Sequence, residues 1–392
     1  MNSAKFRIRQ VESIDAIPAK DWDACANPAE PAPDASERYN PFLSHAFLAA
    51  LEATACVGKG TGWLPAHMVA ETPDGRVAAC APLYLKSHSF GEYVFDQGLA
   101  EAYQRVGGRY YPKAQVATPF TPVQGRRLLV AADAPSGARE ALLAGLRALP
   151  EAAGLSSLHI TFPDAADQAF LAKAGMIQRM GQQFHFFNRG YENFDDFLAA
   201  LASRKRKAIR KERAEVSAAG LVVERVTGRD LTEAHWDAFF DFYTDTGSRK
   251  WGRPYLTRAF FSHLSAALAD RVLLVMARRE GRLIAGALNL VGDDALYGRN
   301  WGAIEHHPCL HFELCYYQAI EFAIERGLKR VEAGAQGEHK FSRGYEAVPT
   351  FSAHEFADPR LAAAAADFFA REARAVDAAI VEYAESGPFR KA

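Results

Sequence analysis

Residues 296–346 read LYGRNWGAIEHHPCLHFELCYYQAIEFAIERGLKRVEAGAQGEHKFSRGYE, and polar groups crowd the last third of that stretch. Glu332 falls inside a short strand pattern, where a carboxylate is seldom buried without a purpose. His339, Lys340 and Arg343 follow it among Gly334, Gly337 and Gly344, residues that let a backbone come close to a ligand. Moving an acyl group onto an amine needs a base, or a water path to one, and donors for a tetrahedral oxyanion. In that chemistry Glu332 is the base or its orienter. Lys340 and Arg343, with His339 and with Arg299 on the preceding strand, hold an anionic substrate group. Tyr316 and Tyr317, on the intervening helix, are candidates to protonate a leaving group. The same residues also admit a plain structural reading: a charged turn closed by an internal Glu332–Arg or Glu332–Lys pair, and tyrosines that pack.

Two further clusters carry charge. After Ser203 come Arg204, Lys205, Arg206, Lys207, Arg210, Lys211 and Arg213, which on a helix cover nearly the whole circumference. Cations at a helix N-terminus oppose its dipole at about 0.3–1 kcal/mol each, so Lys205, Arg206 and Arg210 are expected to face a polyanion such as tRNA phosphates or a precursor's pyrophosphate. The alternative is a solvated face partly neutralised by Glu212, Glu215, Asp195 and Asp196. Next, Lys250 and Trp251 in SRKWGRPY pair a cation with an aromatic ring between two helices, suited to an anionic, ring-bearing or sugar substrate or to anchoring the loop. His306, His307, Cys309, His311 and Cys315 bring metal-ligating types together, and His311 with Cys315 forms an i, i+4 pair. No second ligand pair at a familiar spacing accompanies them, so no metal is assigned.

These residues need elements to hold them. Strand patterns lie at 5–11, 65–72, 76–85 and 158–162, with a hairpin turn at Pro73-Asp74-Gly75. FGEYVFDQ reads as a further strand, and residues 98–125 as a long connection, a type of segment more often functional than accidental. Helices are expected at 42–55, 136–153 and 164–174. In the second half, helices at 194–201, 203–219, 231–246 and 257–269 surround a strand at 221–227. Strands at 272–278, 283–291 and 295–301, a helix at 310–326, a strand at 330–333, a late strand at 350–356 and a last helix at 361–383 complete it. The halves look related: GRVAACA at 75–81 aligns with GRLIAGA at 281–287, each within strand, turn, strand, strand, helix. Two units, 1–190 and 191–392, are expected, with the site in the second, because the first half reads only FPDAADQ after its corresponding strand.

Length and composition agree. The chain has 392 residues, beyond the about 250–300 at which one core stops growing, and its 49% hydrophobic and 11% aromatic content supplies a core. A net charge of −1 gives no global pull toward nucleic acid or membrane. No apolar run approaches the length of a membrane span, and the N-terminus lacks a secretory core, so no membrane insertion is expected. Five cysteines without CxxC spacing fit a reduced, cytoplasmic protein. No G-x-S-x-G elbow, Walker loop or H-E-x-x-H occurs, which argues against common hydrolases, NTPases and zincins.

NPFLSHAFLAALE, GGRYYPKAQVATPFTPVQGRRLL, SRKRKAIRKERAEV, SRKWGRPYL and GEHKFSRGYEAVPTFSAH resemble motifs of a bacterial family of GNAT-like peptidoglycan biosynthesis or recognition proteins. That family is related to the Fem-type aminoacyltransferases, and the likeness covers nearly the whole chain. It implies an α/β (α+β) fold of two tandem GNAT-like units with mixed, mainly antiparallel sheets flanked by helices. It also implies an acyl or aminoacyl transfer onto an amine, with a small-molecule or cell-wall precursor as substrate and tRNA as a possible partner. One departure concerns the donor. An acetyl-CoA-dependent GNAT carries Q/R-x-x-G-x-G/A before its central helix, where backbone N–H groups hold the pyrophosphate; here 302–309 reads GAIEHHPC. Aminoacyl-tRNA and acyl-CoA both remain open as donors, neither bound as a tight cofactor. A non-catalytic binder of wall precursors or peptides and an acetyl-CoA-dependent N-acetyltransferase are the alternatives.

Overall fold

Gly75 closes the first hairpin at φ +85°, a conformation that glycine reaches without strain. On either side of it β3 (His67–Glu71) and β4 (Val77–Ala81) pair antiparallel. A computed structural model describes residues 6–29, 38–250, 254–335 and 337–390. The chain divides into two units, Met1–Gly181 with Pro349–Ala378 and Gln182–Val348 with Ala379–Ala392. A single cut near residue 190 does not reproduce that division, because the chain returns to the first unit after residue 348.

The first unit contains β1 (Arg7–Val11), α1 (Ala19–Ala26), α2 (His45–Ala53), β2 (Trp63–Pro65), then β3 and β4. It continues with β5 (Leu83–Lys86), α3 (Gln97–Arg105), β6 (Lys113–Val116), β7 (Leu129–Val130), α4 (Ala138–Ala153), β8 (Ser157–Thr161) and α5 (Ala165–Lys173). The strand expected over 76–85 breaks at Pro82 into β4 and β5, since proline lacks the N–H a ladder requires. FGEYVFDQ is not a strand but an irregular turn leading into α3. In the long connection, β6 and β7 continue one another along the neighbouring strands: Val116 lies opposite Leu83 and Leu129 opposite Cys80. The excursion between them is held by Arg127, 1% exposed, which donates to the carbonyls of Thr161 at 2.8 Å, Gly125 at 3.1 Å and Val123 at 2.5 Å. In FPDAADQ, Asp164 caps α5 and Asp167 accepts from the N–H of Leu128; those carboxylates are structural.

The chain enters the second unit along β9 (Ile177–Phe187). There follow α6 (Phe194–Ala200), α7 (Ser203–Ala218), β10 (Val222–Thr227), α8 (Glu233–Lys250), α9 (Arg258–Leu268), β11 (Val272–Arg279), β12 (Arg282–Val291) and β13 (Ala295–Ala303). After β13 the helix forms in three pieces: α10 (Leu310–Phe312), a π-helical turn (Glu313–Tyr317) and α11 (Gln318–Glu325). Then come β14 (Arg330–Glu332), a 3₁₀ turn (Glu338–Arg343), β15 (Glu346–Phe356) and α12 (Pro359–Glu385). Strands β10 to β13 form an antiparallel meander, and β14 joins β13 in parallel with β9 on its other side. Leu314, Tyr317, Ile320 and Ala323 press the central helix into the core with Leu273, Val275 and Leu296. Among the described residues no helix is long and apolar enough to cross a membrane.

Candidate functional site

The ladder between β13 and β14 is three pairs long, Ala295↔Arg330 to Tyr297↔Glu332. Past Tyr297, β13 runs on to Ala303 with no paired strand on that side among the described residues, so its peptide groups edge a gap. In the same place the register with β12 shifts, with Ala287 opposite Trp301 and Asn289 opposite Gly298. Arg299 and Asn300 thus stand against one residue of β12, a bulge of the kind that re-aims side chains beside active sites. Gly302 lies so close to Phe242 of α8 that any Cβ would collide with backbone. The helix facing the gap carries the π turn, a distortion frequent at functional sites.

Two adjoining cavities occupy this place. The larger, about 580 Å³, lies at the turn after β13 and is walled by Trp301, Glu305, His306, His307, His311 and Phe312. The smaller, about 80 Å³, lies where the strands part and is walled by Asn289, Gly298, Arg299, Cys315, Tyr316 and Ala333. Trp301 and His311 border both.

Lys340 is 1% exposed and its Nζ donates to the Gly334 carbonyl at 2.8 Å. Burial pushes its pKa down to about 7, helped by the Arg299 guanidinium and opposed by Cys315, both walls of the smaller cavity. Tyr316 lines that cavity, and its hydroxyl lies 2.8 Å from Nε2 of His339, an exposed residue. Burial raises the Tyr316 phenol above its ordinary value, so it stays protonated. The structure therefore brings Lys340, Tyr316, His339 and Arg299 to one gap.

The remaining expected site residues are held elsewhere. Arg343 is not open to a substrate: its guanidinium meets Glu212 of α7 at 2.8 and 3.2 Å, the Tyr317 hydroxyl at 3.0 Å and the His339 carbonyl at 2.8 Å. It also lies 3.4 Å over the ring of Phe312. Tyr317 donates to Glu212 as well, which removes it from the leaving group. Glu332 is buried and pairs with Arg330 at 2.9 Å, the internal pair its plain reading anticipates. Lys250 ends α8, and Trp251 lies outside the described residues.

Helix α7 does not carry charge on every face. Ile209 and Val216 are buried, while Arg213 makes a two-point pair with Glu313 at 3.0 and 3.1 Å. Lys205 reaches Ser342 at 3.3 Å and Arg210 pairs with Asp195 at 3.1 Å, so both are partly committed. Arg206 is half-buried; Arg204, Lys207 and Lys211 face solvent. Glu212 and Glu313 were not legible as site residues. The signal was the apolar spacing Ile209–Val216, which fixes an inner face containing Glu212.

Two of the histidines at the turn are engaged within the chain. His307 Nε2 lies 2.9 Å from Glu305, which pairs with Arg279 at 3.3 Å, and His311 packs edge-on against Trp301 and Tyr316. Among the described residues no group of three or more His, Cys, Asp or Glu is arranged to hold a metal ion. In the first unit the turn ahead of α4 is 131–137; it reads AADAPSG and also lacks the pyrophosphate pattern.

Residues 13–391 match the FemAB-like family, described as peptidoglycan biosynthesis/recognition. Among solved structures the chain is similar to FemX, with 14% identity, a TM-score of 0.52, and coverage of 86% of this chain and 96% of that one. It is similar to the C-terminal domain of a candidate lysylphosphatidylglycerol synthetase from Agrobacterium fabrum, with 10% identity, a TM-score of 0.54, and coverage of 88% and 95%. A tandem GNAT protein from the clavulanic acid biosynthesis pathway aligns over 91% of this chain and 99% of that one at 14% identity, with a TM-score of 0.49. No curated protein sequence matches the chain. At these identities the structural likeness speaks to fold alone: a mixed α/β architecture like that of FemX.

Proposed function

Because the chain belongs to the FemAB-like family of peptidoglycan biosynthesis and recognition, we propose that it is a Fem-type acyltransferase whose second unit moves an acyl or aminoacyl group onto an amine of a cell-wall precursor. The observation that carries this reading is the parting of β13 from β14 beside the buried Lys340 amine and the Tyr316–His339 pair. The acyl carbonyl sits in the smaller cavity, where the exposed edge of β13 offers peptide N–H groups to the oxyanion. Lys340, close to half neutral at neutral pH, takes the proton that the attacking amine sheds. Tyr316 gives a proton to the departing oxygen or sulfur and regains one through His339 at the rim. Arg343 and Tyr317 keep the 3₁₀ turn in place through Glu212.

Aminoacyl-tRNA is the donor this arrangement favours. Glu305 stands at the turn where a CoA pyrophosphate would need amides and open backbone, and its carboxylate is held ionised by His307 and Arg279. The larger cavity offers Trp301, His311 and Phe312 to stack a terminal base. The solvent-facing cations of α7 suit the phosphates behind it. Charged tRNA as donor places the reaction in the cytoplasm.

The test is transfer by the full chain to an amine-bearing stem peptide precursor, with labelled aminoacyl-tRNA or acyl-CoA as donor. Transfer from charged tRNA, lowered about 100-fold or more by Lys340→Met and by Tyr316→Phe, is expected. Full activity in both variants sinks the site; turnover of acyl-CoA alone reassigns the donor. Precursor binding with no turnover from either donor makes the protein a binder.

A further inference from the structure

Strands β5, β6, β8 and the last part of β15 lie side by side in the first unit. One face of this sheet is ordinary: Leu83, Ala114, Val116, Leu158, Ile160 and Ala353 enter the apolar core. The other face is polar and buried. Tyr84 and Lys86 of β5 stand beside Lys113 and Gln115 of β6, all at 0% exposure. His159 and Thr161 of β8 and Ser352 and His354 of β15 continue the row, none above 3%. Apolar side chains would hold a sheet face at lower cost, since burying charges is expensive even when they are paired.

A network compensates most of that cost. Lys113 Nζ donates to Glu92 at 2.7 Å, Asp96 at 2.5 Å and Ser89 at 3.0 Å, and Lys86 lies 3.7 Å from Glu92. Two lysines therefore face two carboxylates. The hydrogen bonding, however, is not closed. The Tyr84 hydroxyl, Gln115 Oε1, Asp96 Oδ1 and the hydroxyls of Thr118 and Thr121 are buried with no partner among the described residues. Native proteins leave few such groups; Asp96 Oδ1 lies at the Lys113 end of β6, beside Tyr110, and the other four lie toward the far end of the strands.

An open cavity adjoins this network through Tyr110 and Tyr111. It holds about 330 Å³ and is walled by Gln97, Glu101, Gln104, Arg109, Tyr110 and Tyr111, a volume at the lower end of the about 300–1,000 Å³ of small-molecule sites. Tyr110 and Tyr111 belong to both. Their rings meet edge-on at 5.1 Å, and their hydroxyls lie 2.7 Å from Asp96 Oδ2 and Ser89 Oγ, the groups that also take the Lys113 ammonium. The buried charges thus fix two aromatic walls of an open cavity, as a preorganised binding site requires.

We propose that this cavity is a second ligand site, in the first unit, and that it takes a neutral, hydroxyl-rich molecule of sugar type. Aromatic walls accept the apolar face of a sugar ring, while the planar amides, carboxylate and guanidinium of Gln97, Gln104, Glu101 and Arg109 match paired hydroxyls. Hydroxyls both donate and accept, which suits a wall holding amides, a carboxylate and a guanidinium together. The lysines and carboxylates of the network already balance, and the wall carries one carboxylate, Glu101, and one guanidinium, Arg109, so a charged ligand gains no net attraction there. The site is independent of the transfer reaction proposed for the second unit.

The test is ligand-observed NMR titration of the full chain with glucose and N-acetylglucosamine, against glucosamine and glucose 6-phosphate as charged counterparts. Saturable binding of a neutral sugar is expected, weakened at least tenfold by Gln104→Ala with Arg109→Ala, two exposed positions whose truncation leaves the fold intact. Lys340→Met, in the other unit, should leave sugar binding unchanged. Absence of neutral-sugar binding, preference for either charged analogue, or full binding by the Gln104/Arg109 variant would overturn the proposal.

Discussion

Lys340 shows how burial converts a residue type into a function. A lysine on the surface is a cation at any physiological pH; with 1% exposure and one carbonyl partner, this one loses its proton at about 7. Its folded pKa lies below the unfolded value of about 10.4, so between those limits the unfolded chain binds the extra proton and stability rises with pH. Catalysis by the neutral amine carries the same sign. Transfer should climb as pH passes about 7 and level off above it, with burial the main cause of that midpoint and the Arg299 guanidinium lowering it further. Lys340→Met should remove that limb while leaving the donor KM within about threefold; a rate profile with an unchanged limb in the variant would assign the titration to another group. The sequence marks Lys340 but not this behaviour, because nothing in GEHKF shows that the side chain turns inward.

At the scale of elements, α7 couples a charged surface to the site. Its inner face holds the 3₁₀ turn through Glu212 on Arg343 and Tyr317, and through Lys205 on Ser342. Its solvent-facing cations meet whatever anion approaches. These two roles separate by mutation. Lys207→Ala with Lys211→Ala should leave melting nearly unchanged and lower the dependence of tRNA affinity on log salt by about one for each phosphate that is no longer neutralised. Glu212→Gln should instead destabilise, toward the lower end of the about 3–5 kcal/mol that breaking a buried pair costs, because Glu212 keeps 21% exposure while Arg343 is nearly enclosed. A drop in kcat with the salt slope intact is the signature expected of Glu212→Gln in transfer assays; a changed slope with unchanged kcat would refute the coupling. The basic run is obvious in sequence. That an acidic residue inside it holds the turn follows only from the buried stripe of Ile209 and Val216.

At the scale of the whole molecule, the first unit is completed by chain that follows the second. The last part of β15 pairs with β8 from Ser352↔Thr161 to Phe356↔Ser157, and His354 lies against His159. A polypeptide ending at residue 190 should therefore fail to fold cooperatively, its β8 edge bare, whereas residues 1–181 joined to 349–378 by a flexible linker should melt as one unit. Circular dichroism and limited proteolysis distinguish these outcomes, and cooperative melting of the 1–190 piece would contradict the division. Local pattern alone sufficed for most elements: alternation and turn residues mark β3 with β4, spacing marks α4 and the central helix of the second unit, and the motif row carries the family. Which strands would be neighbours was not legible, since pairing depends on residues far apart in sequence. FGEYVFDQ has the residue types of a strand, yet Glu92 and Asp96 are drawn to Lys113, an arrangement that strand geometry would forbid. In the stretch from 296 to 346, the sequence by itself supplied the charged residues, the helix before them and the missing pyrophosphate pattern. Tertiary structure decided among them: it spent Arg343 and Tyr317 on Glu212, and it buried Lys340 beside the gap where β13 loses its partner.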